Sequence, residues 1–90
     1  MTTPAGINLA TNIVIADRGF VWVGKTQIED DWLIINNASQ VRRWGTKKGL
    51  GELAANGPLT NTILDPSGTV RVPLRAVIGL LACEASKWTA

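Results

Sequence analysis

The stretch Arg42-Arg43-Trp44-Gly45-Thr46-Lys47-Lys48-Gly49-Leu50-Gly51 puts four cations, one indole and three glycines into ten consecutive residues. Arginine presents a planar fork that matches phosphate oxygens, tryptophan offers a face on which a base stacks, and glycine lets backbone N–H groups approach a ligand closely. The roles this assigns are phosphate neutralisation by Arg42, Arg43, Lys47 and Lys48, stacking by Trp44, and backbone donation by Gly45, Gly49 and Gly51. Arg71 and Arg75 flank Pro73 in Val70-Arg71-Val72-Pro73-Leu74-Arg75. Arg71 alternates with Val70 and Val72, so it points away from them and extends the basic set across a sheet. Arg75 suits a salt bridge at a subunit boundary at least as well. The competing reading of the whole constellation is a core tryptophan followed by a solvated basic loop.

Other patterns carry less. Gly19-Phe20-Val21-Trp22-Val23-Gly24-Lys25-Thr26 matches the spacing of a phosphate-binding P-loop, but bulky β-formers fill the loop positions and an acidic turn follows where a helix is required. Glu29-Asp30-Asp31 has no histidine or fourth carboxylate near it in sequence and reads as a solvated hairpin tip. Asn37-Ala38-Ser39 matches a glycosylation acceptor and receives no weight, because no export signal is read at the N-terminus. Histidine is absent, which removes the usual triads, Cys-His pairs and the commonest transition-metal sites. The expectation is a non-catalytic protein with no cofactor and no metal.

These residues need elements to hold them. The chain has 90 residues and 46% hydrophobic content, enough for one domain and more apolar surface than one small core conceals. A homo-oligomer is therefore expected. Met1 to Thr11 reads as a loose arm and residues 12 to 90 as a single β-rich domain. Strands are expected at Asn12 to Ala16, Phe20 to Lys25, Trp32 to Ile35, Gln40 to Trp44, Thr62 to Leu64 and Thr69 to Val72. Turns are expected at Asp17-Arg18-Gly19, Asn36-Asn37 and Asp65-Pro66-Ser67-Gly68. A two-turn helix fits Leu50 to Asn56, ended by Gly57 and Pro58. Ala76 to Ala82 reads as a strand rather than a helix, with Val77 and Leu81 on one apolar face and Ile78 and Leu80 on the other, placed centrally or in an interface. Trp22 and Trp32 read as core or interface, and Trp88 as packed on the body or on a neighbour. The fold class is mainly β, a small bent antiparallel sheet or an SH3-like or Sm-like barrel with one short helix.

The formal charge of +2 is unevenly spread: residues 1–40 carry two basic and four acidic side chains (−2), residues 41–75 six and two (+4), and residues 76–90 one of each (0). The single Cys83 sits in an apolar run and reads as a buried, reduced thiol. No apolar run reaches the roughly 20 residues that span a bilayer, so a soluble, cytoplasmic protein without a membrane partner is expected.

The order Val21-Trp22-Val23-Gly24, Trp32-Leu33-Ile34-Ile35, Asn37-Ala38, Arg42-Arg43-Trp44-Gly45, Leu50-Gly51-Glu52-Leu53-Ala54-Ala55-Asn56-Gly57 and Arg75-Ala76-Val77-Ile78 resembles a family of small uncharacterised phage and prophage proteins. The resemblance spans about Asn12 to Cys83, and none of its motifs defines a chemistry. The basic loop Gly45 to Gly51 is a departure from that pattern. Small phage proteins of this kind include sponges, homo-oligomers that sequester nucleotide signals of host immune systems such as Thoeris and CBASS. The resemblance implies that role in the host cytosol, with a cyclic ADP-ribose type signal as the first ligand and a cyclic dinucleotide as the second. Two rivals remain open: an Sm-like or SH3-like nucleic-acid binder using the same basic strip, and a phage structural or assembly subunit.

Overall fold

The computed structural model describes residues 10–88. The elements in chain order are β1 (Ala10–Ala16), a 3₁₀ turn (Asp17–Gly19), β2 (Val21–Glu29), β3 (Trp32–Arg43), α1 (Leu50–Asn56), β4 (Ile63–Pro73), a second 3₁₀ turn (Leu74–Ala76), β5 (Val77–Ala82) and a third (Ala85–Lys87). The five strands form one antiparallel sheet in the order β4-β3-β2-β1-β5. Strands β4 and β5 lie at opposite edges and do not pair, so the sheet stays open and the barrel alternative is not realised. The expected arm lies outside the described residues except for Ala10 and Thr11, which begin β1.

Side chains alternate along each strand, and both faces are apolar. On one face Ile13, Val21, Val23 and Val41 pack under Leu53 and Ala54 of α1, with Leu64, Leu81 and Trp88 at the margin. Leu53 is fully buried, which contributes about 1.5–3 kcal/mol. On the other face Val14, Ala16, Leu33, Ile35, Ala38 and Val72 gather residues from β1, β3 and β4, with Trp22, Leu74, Val77 and Leu80 against them. Among the described residues no α-helix covers that side, yet Val14, Leu33 and Ile35 are completely buried. Side chains from the strands and from the second 3₁₀ turn pack against them, Leu74 and Ala76 included.

Two of the expected turns are bulges instead. Asn36-Asn37 does not end a strand; β3 runs through it, with Asn37 at φ 50° and the pairing with β2 shifting between Val23 and Lys25. Asp65 to Gly68 likewise stays within β4, where Ala38 pairs with Gly68 and Ser39 with Pro66. Asn, Pro and Gly break the ladder in both settings, and local sequence does not tell a reversal from an interruption. Gly24 of β2 sits at the same level. A Cβ there would lie 2.6 Å from Ile35 Cγ2, 2.8 Å from the Asn36 carbonyl oxygen and 3.1 Å from Ala38 Cα. Gly24, the Asn36-Asn37 bulge and the Pro66 to Gly68 irregularity thus form one crease across three strands.

In β5 the register with β1 shifts at Ile15/Ala16, where Gly79 pairs with Ile15 and Val77 with Ala16. Ile78 is the extra residue. Val77 therefore joins Leu80 on one face while Leu81 packs on the other, which corrects the strict alternation expected from sequence.

Helix α1 forms where expected, between Gly49 and Gly57. Its last turn is held from outside: the Trp88 indole N–H donates to the Ala54 carbonyl at 3.1 Å, the Glu84 N–H donates to the same oxygen at 2.9 Å, and the Gly57 N–H donates to the Leu53 carbonyl at 2.9 Å. These bonds satisfy carbonyls that a helix end leaves without partners.

One substitution at two glycines separates the crease from the helix. Gly24→Ala is expected to lose about 1–3 kcal/mol by overpacking, whereas Gly51→Ala, with nothing within 4 Å of its Cβ position, is expected to gain about 0.5–1 kcal/mol from helix propensity. Urea unfolding of both variants measures the two changes.

Candidate functional site

The basic segment leaves β3 at Arg43 and reaches α1 through Trp44 to Gly49. Thr62 anchors its first part: its hydroxyl donates to the Trp44 carbonyl at 2.7 Å and accepts from the Leu59 N–H at 2.9 Å. Gly45, at φ 69°, packs its backbone against Asn61 and Thr62, where a Cβ would meet atoms at 2.5 Å. Its second part is bound to the helix. Glu52 accepts from the Lys47 and Lys48 N–H groups at 3.0 and 3.3 Å, and the Thr46 hydroxyl donates to the Gly49 carbonyl at 2.8 Å. A carboxylate in the first helical turn reaching back to preceding amides resembles a capping box. The loop amides of Lys47 and Lys48 thus already hold an anion, supplied by the chain itself.

The side chains divide differently. Arg42 makes an ion pair with Asp65 at 2.8 Å between two largely exposed groups, which is worth about 0–1 kcal/mol. Arg43, Lys47 and Lys48 are exposed. Trp44 leaves 43% of its surface exposed, so it is not the core residue of the competing reading. Arg71 does not join this group. It pairs with Ile34, eight positions along β4 from Ile63, the residue opposite Arg43, or about 26 Å at roughly 3.3 Å per residue. It instead borders a shallow groove with Arg18, Phe20, Trp22 and Pro73. There the Phe20 and Trp22 rings stack at 6.3 Å with 12° between planes. Arg75 lies exposed in the turn after β4, between Pro73 and Ala76 of that groove's rim and apart from the basic loop.

A concavity of ligand size lies elsewhere. A groove of about 450 Å³ opens on the helix side of the crease, lined by Val23, Gly24, Lys25, Asn37, Ser39 and Trp88 together with Thr11, Pro58 and Leu64. Its volume falls in the range of small-ligand sites, which combine apolar walls with a few polar groups. Trp88 supplies an aromatic wall whose orientation is fixed by its bond to Ala54. Lys25 supplies a cation, and Thr11, Asn37 and Ser39 supply neutral polar side chains. None of the described residues that line it is acidic. Arg43 lies four positions beyond Ser39 on β3, about 13 Å at roughly 3.3 Å per residue.

Sequence reasoning passed over this groove for identifiable reasons. Gly24 and Lys25 sit in the rejected P-loop match, and that rejection agrees with the structure, since Val21–Glu29 is a strand. Asn37 and Ser39 sit in the discarded glycosylation pattern. What brings them to one place is the bulge, which no spacing rule announces. Among the described residues, no group of three or more His, Cys, Asp or Glu forms a metal-holding cluster.

Cys83 is free and half-buried at the end of β5. Burial pushes its pKa up from 9.0 to about 11, opposed by a hydrogen bond from the Ile13 backbone. Two units leave on the order of 100-fold less thiolate near neutral pH, so a thiol reagent is expected to label the folded protein far more slowly than the urea-unfolded chain. The folded pKa lies above the unfolded one, so this group's contribution to stability is complete below pH 9.0 and declines between there and about pH 11. Cys83→Ala is expected to flatten that part of the Tm against pH curve.

No protein-family model matches the sequence, and no curated protein is similar to it at a level that indicates relationship.

Proposed function

We infer that the protein is a non-catalytic binder of a small anionic nucleotide. The observation that carries this reading is the groove at the crease, where the Trp88 wall, Lys25 and three neutral polar side chains meet with no acidic side chain among the described lining residues. A purine or nicotinamide ring stacks on Trp88, Lys25 pairs with a phosphate, and Asn37 and Ser39 bond to ribose hydroxyls or base edges. Arg43, Lys47 and Lys48 add a positive field that raises the local concentration of anions. Binding without acid-base equipment suits sequestration, which needs affinity rather than turnover. A phage sponge for a cyclic ADP-ribose type signal, or for a cyclic dinucleotide, is the role this chemistry serves.

A second reading has its own support. Arg43, Lys47 and Lys48 are exposed beside the half-exposed Trp44, and an open basic strip with an aromatic suits single-stranded nucleic acid.

Calorimetry with cyclic ADP-ribose isomers, cyclic dinucleotides and a 20-mer oligonucleotide separates the two. Under the first reading a small nucleotide binds at tens of micromolar or tighter. Lys25→Ala then weakens it by about 10-fold or more, as expected for a lost charged hydrogen bond, and Asn37→Gly weakens it without straining the positive φ. Arg43→Ala has a smaller effect. The nucleic-acid reading predicts affinity that grows with oligonucleotide length, falls steeply with salt and depends on Arg43, Lys47 and Lys48. Absence of binding to every small nucleotide ends the first reading.

A further inference from the structure

The two edges of the sheet are built very differently. Strand β4 carries Pro66 and Pro73, an exposed Arg71, a Gly68 at φ 71°, and three register shifts against β3. Prolines, charges and bulges of this kind block pairing with another strand. Strand β5, Val-Ile-Gly-Leu-Leu-Ala, has no charge and no proline.

The direction of its backbone follows from one hydrogen bond. The Cys83 N–H donates to the Thr11 carbonyl at 3.1 Å, which extends the β1 pairing of Asn12 with Ala82 and Ile13 with Leu81. In an antiparallel ladder alternate residues aim their N–H and C=O groups at the same neighbour. Cys83, Leu81 and Gly79 therefore face β1, and Leu80 and Ala82 face outward with no strand beside them among the described residues. Just before them Ile78, the bulged residue, leaves 67% of its surface exposed, the most of any large hydrophobic residue described. Next to Leu81 and Ala82 runs a groove of about 400 Å³ whose helix side is Gly51, Ala54 and Ala55. Small side chains there leave room for a strand laid along the edge.

We propose that β5 is a self-pairing edge: two copies of this chain join through antiparallel β5–β5 pairing about a twofold axis near Leu80, making one continuous ten-stranded sheet. The occupant is a second copy because the edge is its own complement. Antiparallel self-pairing sets uncharged residues against uncharged residues along the whole strand and puts each Ile78 opposite Ala82 of the other copy. Pairing with β4 of another copy meets the prolines and bulges of that edge. Six residues span about 20 Å, a contact below the roughly 1,200 Å² of a standard interface, so the dimer is concentration-dependent. The proposal is independent of what ligand the protein binds.

Sedimentation equilibrium from about 5 to 500 µM tests it, with Ile78→Lys and Ala82→Pro beside the wild type. Ile78 belongs to neither core cluster. Proline at position 82 removes only an outward donor, which edge positions tolerate. The expected result is a wild-type mass that rises to two chains, with both variants monomeric and circular dichroism and Tm retained. A wild type that stays monomeric at 500 µM overturns the proposal, as do folded variants that dimerise like the wild type. A limiting mass of three or more chains overturns the twofold arrangement in favour of head-to-tail assembly.

Discussion

The absence of a Cβ at Gly24 is the constraint on which the architecture turns. The backbone of β3 approaches so closely there that any side chain would overlap Ile35 and the Asn36 carbonyl, and this approach is what seats the bulge of β3 against β2. Because Ala38 and Ser39 pair with Gly68 and Pro66, the irregularity passes on to β4. A sheet creased along one line can roll its second apolar face inward. A flat one would leave Val14, Leu33 and Ile35 in water, at a cost of about 1.5–3 kcal/mol each.

The same crease opens space on the opposite side. Where one face closes, the other widens, and the groove lined by Gly24, Lys25, Asn37 and Ser39 lies along that line. Core formation and concavity are two consequences of one bend. The wall opposite the crease comes from Trp88, held by the carbonyl of Ala54, so the C-terminal segment both finishes the helix and shapes the groove. A buried polar contact adds definition nearby, where the Asn12 side-chain amide donates to the Thr26 hydroxyl at 2.9 Å and ties β1 to β2 beside Gly24.

Electrostatics are arranged around intramolecular demands before any ligand is considered. Glu52 occupies the two loop amides best placed to receive an anion, and Asp65 holds Arg42. The +4 of residues 41–75 is thereby distributed, with Arg43, Lys47 and Lys48 left on open surface and Arg71 removed to the far end of β4. A cluster that is compact in sequence becomes dispersed in space because two of its members lie on opposite ends of one long strand pair.

Local chemistry by itself determined a good deal. The β-rich class, the helix Leu50–Asn56 between its two glycines, the 3₁₀ turn at Asp17–Gly19 and the strand nature of Val77–Ala82 all follow from propensity, capping and turn residues acting over a few positions. Tertiary structure decided the rest. Asn36-Asn37 and Asp65 to Gly68 carry turn chemistry, yet they became bulges because each strand found a neighbour on both sides of the interruption. The single bulge at Ile78 moved Val77 to the face of Leu80, and the strand order put β5, expected centrally or in an interface, at an edge of the sheet. Lys25, Asn37, Ser39 and Trp88, scattered over more than sixty positions, became neighbours only through the crease. Sequence specifies what each short segment prefers, whereas pairing partners and register are settled by contacts between segments far apart in the chain, and it is register that decides which side chains meet.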